Sequence, residues 1–147
     1  MIQKLLLSPL GPLIARVSSK STMARSMRRI FGPRTQPDAT CIDAFWKLMT
    51  TNHGLGVLPK LLGYMPERWL RRERWVGALC GTSVPLKLID GTLDPVSGEH
   101  MVRRYRELVP RPDITELPGI GHYPQVEAPD GVLAAYLEFR ARRPDWR

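Results

Sequence analysis

The sequence predicts an α/β fold, with a helical first half followed by one parallel strand–helix–strand unit and a covering helix. Three observations carry this reading. Apolar residues recur at helical spacing from the start of the chain to about residue 79. At Ser83-Val84-Pro85 that pattern stops, and two short β-prone stretches follow at 84–89 and 113–117. Between them lies an amphipathic stretch, 98–109, long enough to cross from one parallel strand to the next.

The elements follow in order. Leu5, Leu6, Leu10, Leu13, Ile14 and Val17 mark an apolar face around a Gly11-Pro12 break, and Met23, Met27, Ile30 and Phe31 mark another that Gly32-Pro33 ends. Thr35-Gln36-Pro37-Asp38 reads as a helix entry with proline near the first turn. The helix it opens, about 38–52, places Ile42, Phe45, Trp46 and Met49 on one face, and Asn52-His53-Gly54 breaks it. A further helix carries Val57, Leu58, Leu61, Leu62 and Met65 up to Pro66, and another covers about 67–79. The strand at 84–89 closes in an Asp90-Gly91 turn. In 98–109, Met101, Tyr105, Leu108 and Val109 share a face, and Pro110-Arg111-Pro112 ends it. After the second strand, Asp130 is placed to cap a last helix carrying Val132, Leu133, Tyr136 and Leu137.

A length of 147 residues with 43% hydrophobic and 24% charged side chains suits one globular domain with its own core and argues against disorder. The net charge of +8 is concentrated in residues 1–37, where seven basic side chains and no acid give +7. No aromatic interleaving or nucleic-acid motif accompanies those charges, so no nucleic-acid partner is expected. The same acid-free stretch resembles a targeting segment, although Pro9, Gly11 and Pro12 interrupt its apolar part. A structural role in a cytoplasmic protein is the expectation, with organelle targeting as the alternative. No apolar run is long enough to span a bilayer. Cys41 and Cys80 lack ligand spacing and read as buried thiols in a reducing compartment.

The chemistry concentrates in two loops. Asp94 follows the first strand in Asp90-Gly91-Thr92-Leu93-Asp94-Pro95, and His122 follows the second in Gly119-Ile120-Gly121-His122-Tyr123-Pro124. Loops at the carboxyl ends of neighbouring parallel strands share one edge of the sheet, where open α/β folds bind ligands. A histidine acting as general base needs a carboxylate on its other ring nitrogen, and Asp94 and His122 meet that requirement. Alone, His122 also fits a plain loop histidine between turn formers. Asp90 is the rival acid, with a turn or capping role the better fit. His53 in a turn, His100 on a helix and the Arg68, Arg71, Arg72, Arg74 run read as structural or solvated. No Gly-x-Ser-x-Gly elbow or equivalent is present. Gly77-Ala78-Leu79-Cys80-Gly81 comes nearest, with the wrong spacing and ahead of a strand instead of after one. Metal-ligand clusters and phosphate-cradling loops are absent, so neither metal nor cofactor is expected.

Asp94-Pro95 after Gly91, with Gly121-His122-Tyr123-Pro124-Gln125-Val126-Glu127-Ala128-Pro129, resembles α/β-hydrolases of the epoxide hydrolase and haloalkane dehalogenase type. Phe31-Gly32-Pro33-Arg34-Thr35-Gln36-Pro37 and Arg74-Trp75-Val76-Gly77-Ala78-Leu79 narrow the resemblance to the mesoderm-specific transcript branch and its bacterial relatives. It runs from about residue 3 to 139. The resemblance implies a helical cap at 1–80 and the C-terminal part of the hydrolase core at 81–147. It also implies Asp94 as triad acid, His122 as base, a small apolar substrate, and a carboxylate nucleophile in a His-Asp-x-Gly elbow. That elbow is missing here. The chain is therefore expected to be a C-terminal portion, inactive alone, whose partner is the missing N-terminal half. The alternative is a non-catalytic module in which Trp46, Tyr64, Trp69 and Trp75 line a site for an apolar ligand or a protein.

Overall fold

A computed structural model describes residues 18–143. The apolar face expected from Leu5 to Val17, with Lys4 and Arg16 of the basic N-terminal stretch, lies outside them. The described chain divides into two compact units, one of residues 18–26 and 38–77, the other of 27–37 and 78–143. Residues 27–37, which the sequence groups with the helical first half, thus pack in the unit that holds the strands.

Helix α1 (Lys20–Ile30) has residues in both units. Helix α2 (Ala39–Thr50) starts where the sequence says it should: the Asp38 carboxylate accepts from the Cys41 backbone N–H at 2.7 Å and so caps the first turn. Ile42 is buried, and Phe45, Trp46 and Met49 are half-buried on the same face. The break falls at Asn52 and His53, whose φ values of 50° and 59° are left-handed, inside a 3₁₀ segment, Thr51–Val57. Helices α3 (Leu58–Leu61), α4 (Tyr64–Leu70) and α5 (Arg72–Gly81) follow. Two expectations are corrected here. Pro66 does not end a helix; it sits in the first turn of α4, where its missing N–H costs nothing. The single helix expected at 67–79 is two, separated at Arg71.

In the second unit, β1 (Leu88–Gly91) and β2 (Ile114–Leu117) pair in parallel, Leu88 opposite Ile114 and Gly91 opposite Leu117. The first strand therefore begins later than expected and runs through Asp90-Gly91, which the sequence reads as a turn. Pro85 has no N–H to give a ladder, and pairing starts only where the Leu88 N–H donates to the Asp113 carbonyl at 2.9 Å. Among the described residues β1 and β2 pair only with each other.

Helix α6 (Glu99–Leu108) crosses between the strands and buries Val102 completely, a residue outside the expected stripe, with Val109 just beyond the helix. A one-turn helix, α7 (Pro124–Glu127), precedes α8 (Pro129–Ala141). Asp130 lies inside the first turn of α8 and does not cap it. The buried face of α8 is Ala135 and Phe139, whereas Leu133, Tyr136 and Leu137 are exposed, the reverse of the expected stripe. Both stripes of this helix are apolar, so periodicity alone cannot choose between them and tertiary packing does. Met27, Phe31, Val102, Val109, Ala135 and Phe139 form the buried apolar set of the unit.

Candidate active site

The two loops that carry the candidate residues are stitched together at the carboxyl ends of the strands. Thr92 N–H donates to the Leu117 carbonyl at 3.2 Å, and Leu93 N–H to the Ile120 carbonyl at 2.9 Å. Gly91 is required at this crossing, because a Cβ there would lie 2.2 Å from the Gly121 carbonyl oxygen. The chain then turns tightly, with Asp94 N–H donating to Gly91 O at 3.1 Å and Gly98 N–H to Asp94 O at 3.1 Å.

That turn aims the Asp94 carboxylate inward. Its Oδ1 accepts from the Val96 N–H at 2.7 Å and its Oδ2 from the Ser97 hydroxyl at 2.7 Å. Oδ2 also lies 2.8 Å from His122 Nδ1, so the expected pair is in direct contact. The Asp94 side chain is 4% exposed and the His122 ring 31%. Burial opposes the Asp94 charge, but hydrogen bonds from His122, Ser97 and Val96 outweigh it and hold the carboxyl below the usual carboxylate range. An ionised Asp94 fixes the tautomer with the proton on Nδ1 and leaves Nε2 with its lone pair. No hydrogen bond engages Nε2 among the described residues. A carboxylate on one ring nitrogen of a histidine, with the other nitrogen left open, is the arrangement that general-base chemistry requires.

The histidine loop rests on the segment after α1. His122 N–H donates to the Ile30 carbonyl at 2.8 Å, and the Phe31 and Tyr123 rings sit 5.5 Å apart. A Cβ on Gly121 would lie 2.3 Å from Ile30 O, so only glycine allows this approach. The Glu127 carboxylate closes the contact. Its Oε2 accepts from Thr35 Oγ1 at 2.6 Å, Gly32 N–H at 2.7 Å and Gly121 N–H at 2.9 Å, and Oε1 from Tyr123 N–H at 3.0 Å. Burial raises the cost of its charge, yet these four donors hold its carboxyl below the ordinary glutamate range. Sequence reasoning left Glu127 as part of a motif. Three of its partners are backbone amides, which leave no signature in residue identity; the only available signal was its spacing five residues after His122.

Asp90 is close to this pair without belonging to it. It is buried, its Oδ2 has no hydrogen-bond partner, and no hydrogen bond joins it to His122. Burial, then the carboxylates of Asp94 and Glu116, push its carboxyl up to about 6. Between the rival acids, geometry selects Asp94.

The remaining candidates stay outside the site. His53 occupies the left-handed break after α2, and His100 Nε2 lies 3.2 Å from the Val96 carbonyl on the exposed side of α6. Arg71 pairs with Glu67 on an exposed helix face. Cys41 and Cys80 are free and half-buried, not fully buried as the sequence suggests, and the Cys80 thiol donates to the Leu108 carbonyl at 3.1 Å from within α5. That helical setting rules out an elbow at Gly77–Gly81. No group of three or more metal-ligating side chains gathers among the described residues, and no helix among them is long and apolar enough to cross a membrane.

No family model matches the chain. It is 41% identical over 136 residues to hydrolase LipZ of Mycobacterium tuberculosis, covering 92% of this chain and 47% of that protein. It is 36% identical over 143 residues to the mesoderm-specific transcript protein of Mus musculus, covering 95% and 43%. The chain thus spans about half the length of the curated relatives it matches. Among solved structures, a serine hydrolase of carbazole degradation, CarC, superimposes with a TM-score of 0.64 at 17% identity, over 85% of this chain and 48% of that one. The non-heme bromoperoxidase BpoC of M. tuberculosis gives 0.65 at 20% identity, over 96% and 51%. The chain carries part of an α/β-hydrolase fold: helices of the cap type, then two parallel strands with their helices.

Proposed function

We propose that this chain is the acid- and base-bearing portion of an α/β-fold hydrolase, with Asp94 orienting and His122 moving the proton. The single observation behind this reading is the 2.8 Å contact between Asp94 Oδ2 and His122 Nδ1, made by loops that follow adjacent parallel strands. By the resemblance, the nucleophile sits on a part of the hydrolase fold that this chain does not carry. By resemblance to the epoxide hydrolase and haloalkane dehalogenase type, it is a carboxylate. Its oxygen attacks a substrate carbon and forms an ester, while a halide departs or the opened epoxide oxygen takes a proton from water to become a hydroxyl. Nε2 of His122 then takes a proton from water as that water attacks the ester carbonyl, and the imidazolium returns the proton to the departing oxygen as the product alcohol leaves. Asp94 stabilises the imidazolium formed in that step. An ester substrate calls for a hydroxyl nucleophile instead: Nε2 takes its proton, passes it to the leaving alcohol, and then draws a proton from the water that cleaves the acyl ester. Of the cap expected at 1–80, residues 27–37 pack with the core at 81–147; the remainder serves as the cap that selects a small apolar substrate, in a cytoplasmic protein without a cofactor.

A second reading, a non-catalytic module for an apolar ligand or protein, draws on the exposed Tyr64, Trp69, Leu70 and Trp75. Kinetics separates the two. The 147-residue chain should not hydrolyse p-nitrophenyl acetate or styrene oxide above background. Fusion to the N-terminal half of a relative with an intact elbow should restore turnover, and His122→Ala in the fusion should remove it by about 10⁴-fold or more. Turnover by the chain alone that survives His122→Ala unchanged overturns both the assigned base and the need for a supplied nucleophile.

A further inference from the structure

We infer that Glu127 is a positioning residue: its carboxylate clamps the Gly121-His122-Tyr123 loop onto Gly32–Thr35 and thereby holds the His122 ring on Asp94. The inference rests on the reading of Asp94 and His122 as the working pair, and it goes beyond that reading by giving a role to a group that touches neither.

The argument is one of satisfied donors. The His122 loop has no regular secondary structure to consume its N–H groups, and a half-buried amide without an acceptor is costly. Glu127 accepts from the amides on both sides of His122, Gly121 at 2.9 Å and Tyr123 at 3.0 Å. The His122 amide itself is taken by the Ile30 carbonyl at 2.8 Å. All three amides that fix the backbone direction at His122 are therefore anchored. The other end of the clamp reaches 95 residues back in sequence to the Gly32 amide at 2.7 Å, with the Thr35 hydroxyl at 2.6 Å on the same oxygen.

The fit leaves no slack. A Cβ on Gly32 would lie 2.2 Å from the Gly119 carbonyl, and one on Gly121 2.5 Å from the Gly32 nitrogen. Two glycine backbones cross in contact, and one carboxylate ties them. The Phe31-Gly32-Pro33-Arg34-Thr35 motif gains a purpose from this: it is the platform under the histidine loop. Orientation to within a fraction of an ångström is what a general base needs from its surroundings, and this clamp supplies it from outside the pair.

The test uses the 147-residue chain and proton NMR. The unsubstituted chain should show a downfield Nδ1–H resonance from His122 bonded to Asp94, with slow exchange of the Gly32, Gly121 and Tyr123 amides. Glu127→Gln should broaden that resonance beyond detection and speed exchange of those three amides at least tenfold, while the Leu88–Gly91 amides stay protected. Asp94→Asn should lose the resonance and keep the three amides slow. A folded Glu127→Gln chain that retains a sharp Nδ1–H resonance overturns the inference. If Glu127→Gln does not fold, Thr35→Val decides, since it deletes one donor of four: a broadened resonance supports the clamp, and an unchanged one overturns it. Slow clamp amides with no Nδ1–H resonance in the unsubstituted chain would sink the pair instead, and the inference with it.

Discussion

The two units solve the same problem in opposite ways. Helices α2 to α4, with most of α5, draw their backbone hydrogen bonds from residues three or four positions away, so they need no distant segment as a backbone partner. Of their large apolar side chains Ile42 is buried, whereas Leu48, Leu61, Trp69 and Leu70 are exposed. The strands of the second unit cannot do this. A strand's N–H and C=O groups need a partner from elsewhere in the chain, and β1 finds β2 some 26 residues on, beyond the intervening α6. Long-range pairing assembles the buried apolar set, and it also delivers two loops to one edge. Packing and chemistry therefore share a cause in the second unit and are both scarce in the first.

Truncation of a ring gives the largest expected contrast. Phe139→Ala removes a buried ring from α8 and should cost about 3–5 kcal/mol. Trp69→Ala removes a larger ring that is 83% exposed and should change stability by no more than about 0.5 kcal/mol. Urea midpoints followed by circular dichroism measure both. Equal costs would mean that Trp69 is buried in solution and that the contrast between the units is false.

Within the second unit, the two buried carboxylates four residues apart sharpen the point with opposite signs. Asp90 has its folded-state carboxyl raised from 3.8 to about 6, so its contribution is complete below about pH 4 and is lost as pH rises through 6. Asp90→Asn cannot ionise and should be more stable than the parent above pH 7, by up to about 3 kcal/mol, with the gain vanishing near pH 4. Asp94 is lowered instead. Its contribution is present above the ordinary aspartate value and disappears as pH falls through the folded one. Asp94→Asn should therefore be less stable than the parent at pH 7 and approach it on acidification. Denaturation series at pH 4, 6 and 8 test both signs; a stability gain for Asp94→Asn at pH 8 would place the working acid elsewhere.

What was legible in the sequence follows the same division. Helix α2, its entry at Thr35–Asp38 and its Ile42 face were readable because start signals and periodicity act within a few residues. Asp94 and His122 were readable because each follows its own strand, so a parallel pair must bring them to one edge. The start of β1 was misplaced because Pro85 sits among residues of high β-propensity, and only pairing with β2 decides which of them are strand. The Ala135–Phe139 face was missed because two apolar stripes compete on α8 and only the partner surface chooses, and Val102 because it borders the α6 stripe, beside Val109, and was not counted in it. Glu127 was missed for a different reason: its donors are mostly amides, and one of them lies 95 residues away.

The smallest predicted effect lies in the first unit and tests what holds it. Glu67 and Arg71 pair at i, i+4 on α4 and its C-cap, with side chains 45% and 48% exposed. At that exposure water and salt screen the attraction, and holding two long side chains in one geometry opposes the gain, which leaves about 0.3–0.5 kcal/mol. Glu67→Gln should therefore lower the urea midpoint barely, and 0.5 M salt should erase the difference between variant and parent. The pair would then be a local trim on a helix whose hydrogen bonds already close within it. A loss above about 1 kcal/mol that persists in salt would mean that Glu67 is desolvated in solution. The first unit would then depend on buried polar contacts as the second does, and the contrast between them would narrow to a difference of degree.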